Sequence, residues 1–381
     1  MIRLNIPLLL VSLFIFPKTF GDDGALSDIN KYEYSKIIDV PDLSFVGKVY
    51  SGLDILEQMD FKPLRNKTIA ILTNQSAVNR NNQHLLDILT RYPDIRVKYL
   101  LSMEHGIWST NDKRSKMVGR NKVSPLHKAQ IIDLFKTYLN PPSWVMRDID
   151  LVLVDYQDTG SRYTTYTTTL SKVFESASEF EVPVFLLDRP NPIRGDLISG
   201  PIPRLEFQSF ESYHLFPIRH GLTIGEMSLI INEMGWVKDL KRIQLNIIPM
   251  ANWKREMWFE DTQLPWKNFT PYLETPSSLL AYSGMDLFRG TNLNIGFGTG
   301  APYMVVGSPW LSTSYLLKKL KEQNLPGVTF KEVEYRPLGS SYYKRAPKFD
   351  NLKCSGIELI IRDQNIFMPI ETAISMIILI D

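Results

Sequence analysis

The chain of 381 residues reads as an α/β protein, with a Rossmann-like parallel-sheet domain followed by a smaller α+β domain. Three observations lead there. Apolar runs of strand length alternate with helical spacing from Thr68 to Leu187. Each run closes on a polar cluster. After Gly195 the alternation stops, and a loop-rich stretch leads into a second set of elements.

Composition narrows the classes. An apolar fraction of 44% supplies a sizeable core, and a net charge of +2 with no Lys/Arg block argues against nucleic acid or an acidic membrane as the main partner. Met1–Gly21 has Arg3, an apolar run over Ile6–Phe16 and small residues at Thr19 and Gly21. That pattern predicts a cleaved export signal, with no stable membrane insertion afterwards, because the run is too short to span. The expected location is periplasmic or extracellular. The single cysteine, Cys354, cannot form an internal disulfide, so stability rests on core burial.

In order, residues 22–47 read as an irregular leader, and Leu53–Met59 as a helix. Thr68–Leu72 is a strand closed by Thr73-Asn74-Gln75-Ser76. Gln83–Arg91 is helical, and Val97–Leu101 is a strand closed by Ser102-Met103-Glu104-His105-Gly106. Ala129–Leu139 reads as a helix from the spacing of Ile131, Ile132, Leu134 and Phe135. Ile149–Asp155 is a strand built on the unbroken apolar run Leu151–Val154, of the kind buried on both faces. It leads into Gln157, Asp158, Gly160, Ser161, Arg162 and Tyr163. A helix over Thr167–Phe180 and a strand over Val182–Leu187 follow, closed by Asp188-Arg189-Pro190-Asn191-Pro192. These four strands predict the parallel sheet, and residues 48–203 its domain.

Residues 204–381 are expected to form the smaller domain. Its predicted elements are a helix Ile224–Met234, a strand Ile243–Pro249, a loop-rich Ala251–Asn294, a helix Ser312–Gln323, strands Val328–Tyr335 and Gly356–Arg362, and a helix Pro369–Ile380.

Four polar clusters at successive strand ends lie along one sheet edge, where open α/β sheets put ligands. Glu104-His105 is either an ordinary turn or a proton-transfer site, since a carboxyl group in a cleft can serve as a general acid. Asp158 and Arg162 are either an ion pair or holders of polar ligand groups. Pro190 and Pro192 stiffen the backbone around Asn191, which favours a positioned side chain. Glu226 is either a second carboxylate or the partner of Thr223 in a capping box. Trp253, Trp258 and Trp266 fit core packing better than a sugar platform. Gly296–Gly300 is a poor phosphate loop, with no clear strand before it and Pro302 after it. No HExxH spacing is present and there are only five histidines, which argues against metal. No cofactor is expected.

Several collinear motifs between Val49 and Pro309 carry a resemblance. They are Thr73-Asn74-Gln75-Ser76, Glu104-His105-Gly106-Ile107, Gln157–Tyr163 with Thr165-Tyr166, Leu187–Pro192, Arg219–Glu226, Trp253-Lys254-Arg255, Leu264-Pro265-Trp266 and Gly290–Leu293. Together they resemble the NamZ-type exo-β-N-acetylmuramidases. The resemblance implies a bacterial glycoside hydrolase with its active site in the cleft between two domains. It would release N-acetylmuramic acid from non-reducing ends of peptidoglycan fragments, which are the expected partners. It implies Glu104 as catalytic acid/base, with Glu226 or Asp158 as the second carboxylate. It also implies His105, Asp158, Arg162, Asp188, Arg189, Asn191, His220 and Glu226 as residues lining the site, and Asn74 and Tyr163 of the strand-end clusters join them as substrate-binding candidates. The chain departs from the family pattern at Arg289, Phe297 and Lys267–Leu273, and stops at Asp381 where relatives continue. The departures motivate an alternative expectation, a non-catalytic protein that binds cell-wall sugars or muropeptides. A nucleotide-dependent enzyme is disfavoured, because no glycine fingerprint follows Thr68–Leu72.

Overall fold

The structure is a computed structural model that describes residues 34–40, 47–108, 122–268, 270, 272–339 and 346–380. The expected export signal and most of the leader lie outside these residues, as do 269 and 271 of the Lys267–Leu273 stretch. The elements are, in chain order, β1 (Ser35–Ile37), α1 (Gly52–Gln58), β2 (Thr68–Thr73), α2 (Leu85–Leu89), β3 (Arg96–Ser102), β4 (Gln130–Asp133), α3 (Ser143–Met146), β5 (Leu151–Asp155), α4 (Thr165–Glu179), β6 (Val184–Leu187), α5 (Ile224–Glu233), β7 (Leu245–Ile248), α6 (Pro276–Met285), β8 (Val305–Ser308), α7 (Thr313–Gln323), β9 (Val328–Tyr335), β10 (Cys354–Ile361) and α8 (Pro369–Ile380). Among the described residues no helix is long and apolar enough to cross a membrane.

Seven strands form a parallel sheet in the order β1-β7-β6-β5-β2-β3-β4. Its centre is made by the most apolar runs. Every residue of β5 is buried, and β2 is buried from Ile69 to Thr73. Strands covered on both faces need side chains without polar demands on either side, which is why these segments read as continuous rather than alternating. A second, antiparallel sheet runs β8-β10-β9. The α/β class with a larger parallel and a smaller second sheet therefore holds.

Several elements differ from expectation. The segment read as a helix over Ala129–Leu139 contains β4 instead, paired with β3 from Tyr99↔Gln130 to Ser102↔Asp133. Asp133 ends it, because its Oδ1 accepts the N–H groups of Phe135 (3.0 Å) and Lys136 (2.9 Å) and turns the chain. The apolar spacing that suggested a helix is too short to separate the two states. The leader supplies an edge strand, β1, pairing Ser35↔Leu245. The strand near Ile243–Pro249, expected in the second domain, is β7 and lies between β1 and β6 in the large sheet. Sheet membership thus does not divide at residue 203. The stretch 251–294 read as loops contains α6. Thr275 caps it with a reciprocal pair of bonds to Ser278 (3.1 and 3.2 Å).

The strand order fixes where a ligand can sit. From β2 the chain builds outward through β3 to β4. From β5 it builds the other way, through β6 to β7. Adjacent strands whose connections run to opposite sides leave a crevice past their carboxyl ends. Here that crevice lies between β2 and β5, whose ends are level at Thr73↔Asp155. The four polar clusters follow the contiguous strands β6, β5, β2 and β3.

Candidate active site

The two loops at the switch point are bonded to each other. Asn74 Oδ1 accepts from Ser76 N (2.9 Å) and Ser76 Oγ (2.5 Å). Ser76 Oγ in turn accepts from Gln157 N (2.8 Å), so one hydroxyl joins the end of β2 to the end of β5. The Asn74 backbone carbonyl is bonded by His84 Nε2 at 2.9 Å.

Glu104 and His105 occupy the corners of a tight turn closed by Gly106 N to Met103 O (3.0 Å). Gly106 takes a φ of +80°, which an L side chain adopts at a cost. Glu104 is half-buried and accepts a hydrogen bond at Oε2 from the hydroxyl of Thr165 (2.9 Å), the first residue of α4. The next residue, Tyr166, is buried with its hydroxyl against the side chain of Asn74. Burial pushes the Tyr166 pKa up, and the charges of Glu104 and Asp158 push it further while the Asn74 contact opposes. Both carboxylates therefore lie within electrostatic reach of one phenol. The His105 ring stands 6.3 Å from the Tyr166 ring and 6.3 Å from that of Tyr272.

Asp158 is buried. Its Oδ2 accepts from Gly160 N (2.7 Å) and stands 3.3 Å from His220 Nε2, within charge attraction but off the angle of a hydrogen bond. His220 Nδ1 accepts from Leu222 N (3.1 Å), so the proton of a neutral ring sits on Nε2, toward Asp158. Asp158 Oδ1, Ser161 Oγ, Arg162 Nε and the Tyr163 hydroxyl are also buried without a hydrogen-bond partner among the described residues. Such a concentration on one loop is unusual, because buried polar groups are nearly always paired. Asp158 and Arg162 do not pair with each other. The Arg162 guanidinium donates to the carbonyls of Pro201 (2.8 Å) and Phe216 (2.6 Å), and burial lowers its pKa. Burial, then the charge of Asp286, raises the pKa of Tyr163.

The remaining candidates hold the frame. Asp188 accepts at Oδ1 from Arg189 N (2.9 Å) and Gly225 N (2.8 Å), and at Oδ2 from the Thr223 hydroxyl (3.0 Å). It thereby pins the N-terminus of α5 to the end of β6. Burial, and secondarily the charge of Glu226, brings its pKa up to about 7 against those three bonds. A Cβ on Gly225 would lie 2.7 Å from the Asp188 carboxyl carbon, so only glycine allows this approach. Arg189 grips the buried Asp155 through two bonds (2.6 and 3.0 Å) and donates to Val78 O. Asn191 bridges Leu222 O (2.9 Å) and Ile193 N (3.1 Å). Glu226 is engaged at both oxygens. Oε2 completes the capping box with Thr223 (3.0 Å), and Oε1 is ion-paired with Arg255. Of the acids that sequence reading offered, Glu104 and Asp158 both act electrostatically on Tyr166, and Glu226 serves the start of α5.

Trp253 and Trp258 are packing residues, as expected, whereas Trp266 is partly exposed and lines a cavity with Ser76, Gln157 and Arg189. Trp258 is buried beneath Arg194 and Arg219, Trp253 packs on Gly195, and Trp266 stands edge-on to Phe259. Thr165 and Tyr166, which touch Glu104 and Asn74, were read as part of a motif and not as site residues, and Tyr272, which meets His105, lay in a stretch read only as a departure from the family pattern. The first two had a readable signal, a polar-aromatic pair opening the helix that follows the longest strand-end cluster. Among the described residues no three His, Cys, Asp or Glu side chains are grouped to hold a metal.

Fold and site together define a parallel-sheet α/β protein with a carboxylate-bearing polar site at its switch point. Residues 69–277 match the family described as Exo-beta-N-acetylmuramidase NamZ, N-terminal, and residues 280–381 match its C-terminal counterpart. The chain is 32% identical over 330 residues to the peptidoglycan beta-N-acetylmuramidase NamZ of Bacillus subtilis, covering 87% of this chain and 77% of that one. Among solved structures it resembles two DUF1343 family proteins of Bacteroides fragilis. One matches with a TM-score of 0.77 at 27% identity, over 86% of this chain and 81% of the other. The second gives 0.67 at 28%, over 84% and 78%. These likenesses make the protein a muramidase-type glycoside hydrolase. The chain belongs to the NamZ family, as the collinear motifs implied.

Proposed function

We propose that the protein is an exo-acting glycosidase that releases N-acetylmuramic acid from non-reducing ends of peptidoglycan fragments, with Glu104 as its acid/base. One observation carries this reading. Among the described carboxylates at or directly after the ends of β3, β5 and β6, Asp155, Asp158 and Asp188 are buried, and Glu104 keeps part of its surface in solvent. It is the one a glycosidic oxygen can reach. Glycosidic cleavage needs a proton for the leaving oxygen and stabilisation of an oxocarbenium-like charge. Glu104 supplies the first. Asp158, held by Gly160 N and close to His220, is the carboxylate proposed for the second. The family relationship supports the sugar and the polymer, and the terminal position of the attack is part of the proposal. Export through Met1–Gly21 belongs to the same reading, since the substrate lies outside the cytoplasm.

The test is product analysis on glycan strands labelled at the reducing end. Wild-type protein is expected to free one unlabelled N-acetylmuramic acid from each non-reducing end that carries it. Glu104→Gln is expected to lose roughly a hundredfold or more in kcat while keeping its melting temperature. Full activity in a folded Glu104→Gln protein would overturn the assignment, and internal cuts would overturn exo action.

One observation favours the wall-sugar-binding alternative. Glu226 has both oxygens engaged and Asp158 is shut from solvent, so neither candidate for the second carboxylate is free. Release of free sugar excludes that alternative, whereas saturable muropeptide binding with no product supports it.

A further inference from the structure

The glycine-rich run Gly296–Gly300, a poor phosphate loop, has a different structural consequence: it displays Phe297. Gly296 and Gly298 take φ values of +80° and +84°. A Cβ on Gly296 would come within 2.2 Å of Ala301 O, and one on Gly298 within 2.7 Å of Pro347 Cγ. Between them the backbone is held from both sides. Asn294 Nδ2 donates to Phe297 O (3.0 Å) and Lys348 O (3.0 Å), and Asn294 Oδ1 accepts from Gly296 N (2.8 Å). Leu338 N donates to Gly298 O at 2.9 Å. A side chain on such a loop is presented with little freedom left to lose on binding.

The ring so presented is not buried in the core. Phe297 and Tyr272 both keep part of their surface open, whereas Tyr303 beneath them is buried and donates to Asp286 (3.2 Å). The Phe297 and Tyr272 rings lie 4.6 Å apart at 34°, and Phe297 meets Tyr303 edge-on at 5.2 Å. Tyr272 also meets the ring of His105, which adjoins Glu104. An aromatic pair from the second half of the chain thus meets the polar strand ends of the first. A pyranose ring has the matching character, with hydroxyls on its rim and a face of C–H bonds that packs against the electron-rich face of an aromatic ring.

We propose that Tyr272 and Phe297 form a stacking subsite for the apolar face of the pyranose ring adjoining the bond that Glu104 cleaves. This rests on the reading of Glu104 as the acid. It makes the two rings determinants of affinity for the sugar and leaves proton transfer to the strand ends.

The test uses the muramyl disaccharide N-acetylmuramyl-N-acetylglucosamine. Its KM and kcat are measured with wild-type, Phe297→Leu, Phe297→Trp and Tyr272→Leu proteins, and its Kd in a Glu104→Gln background. Phe297→Leu and Tyr272→Leu are expected to raise KM and Kd roughly tenfold with kcat within about threefold, and Phe297→Trp to stay close to wild type. Unchanged KM and Kd in both leucine variants would overturn the subsite. If the wild type releases no sugar, the acid assignment fails separately, and the Kd series alone decides the subsite. Should Phe297→Leu unfold, Tyr272→Leu decides, since it sits on a separate loop.

Discussion

The hydroxyl of Thr165 donates to Oε2 of Glu104 at 2.9 Å, tying the turn after β3 to the first residue of α4. Thr164, at the N-cap of that helix, makes no side-chain capping bond, and no acidic residue lies in its first turn. The carboxylate of Glu104 is therefore the acid associated with this helix start. A positive helix end and a hydroxyl donor both favour one fixed orientation of the group.

Removing that hydroxyl while keeping the shape should separate position from presence. Thr165→Val is expected to cost about 1 kcal/mol of stability and to lower kcat several-fold or more through a loosened Glu104. Thr165→Ser should restore most of the rate. Paired melting curves and single-turnover rates on a muramyl disaccharide check this. Equal rates in Thr165→Val and wild type would show that Glu104 is held by other contacts.

Much of this architecture was legible because the central strands admit no other reading. β2 and β5 hold the apolar runs Ile69–Leu72 and Leu151–Val154, and the polar residues that follow announced the edge on which Asn74, Glu104 and Asp158 stand. Where competing signals had similar weight, the reading failed. Ile131 and Ile132 suit a helix face as well as an edge strand, and it was the turn built on Asp133 that decided. β1 has three residues and gains its identity only from pairing with β7, some two hundred positions away. The double engagement of Glu226 was half visible, since Thr223 three residues before it spells a capping box. Arg255, its other partner, was not, because nothing local links position 226 to 255. The meeting of His105, Tyr272 and Phe297 spans nearly half the chain and depends on loops whose course no periodicity encodes.

The buried pair Asp155–Arg189 yields a stability prediction. Asp155 is inaccessible at the end of β5, and burial pushes its pKa up while Arg189 pulls it down. Removing the cation leaves that carboxyl buried without its partner. Arg189→Met is expected to cost about 3–5 kcal/mol in chemical denaturation. Arg189→Lys should recover only part of this, because an ammonium cannot reproduce the two-point grip and still reach Val78 O. The double variant Asp155→Leu, Arg189→Met should be less damaged than Arg189→Met alone. A double variant as unstable as the single one would show that packing, not the stranded charge, dominates.

Asp188 gives the pH dependence. Its pKa in the folded protein is brought up to about 7, chiefly by burial and then by Glu226, from an ordinary unfolded value of about 3.9. Between those values the folded state holds more protons than the unfolded state, so this group's contribution to stability falls as pH rises. The contribution is complete below about pH 4 and is lost as pH passes through about 7. The slope is on the order of 1 kcal/mol per pH unit at most. Asp188→Asn removes the titration and keeps a side chain able to accept from Gly225 N. The wild type should therefore gain stability relative to Asp188→Asn as pH is lowered from 7.5 to 4.5, with other groups cancelling in the difference. Urea denaturation of both proteins at four pH values in that range measures it. A difference that stays flat, or that grows in the opposite direction, would mean that the three donors around Asp188 outweigh its burial and keep it ionised throughout.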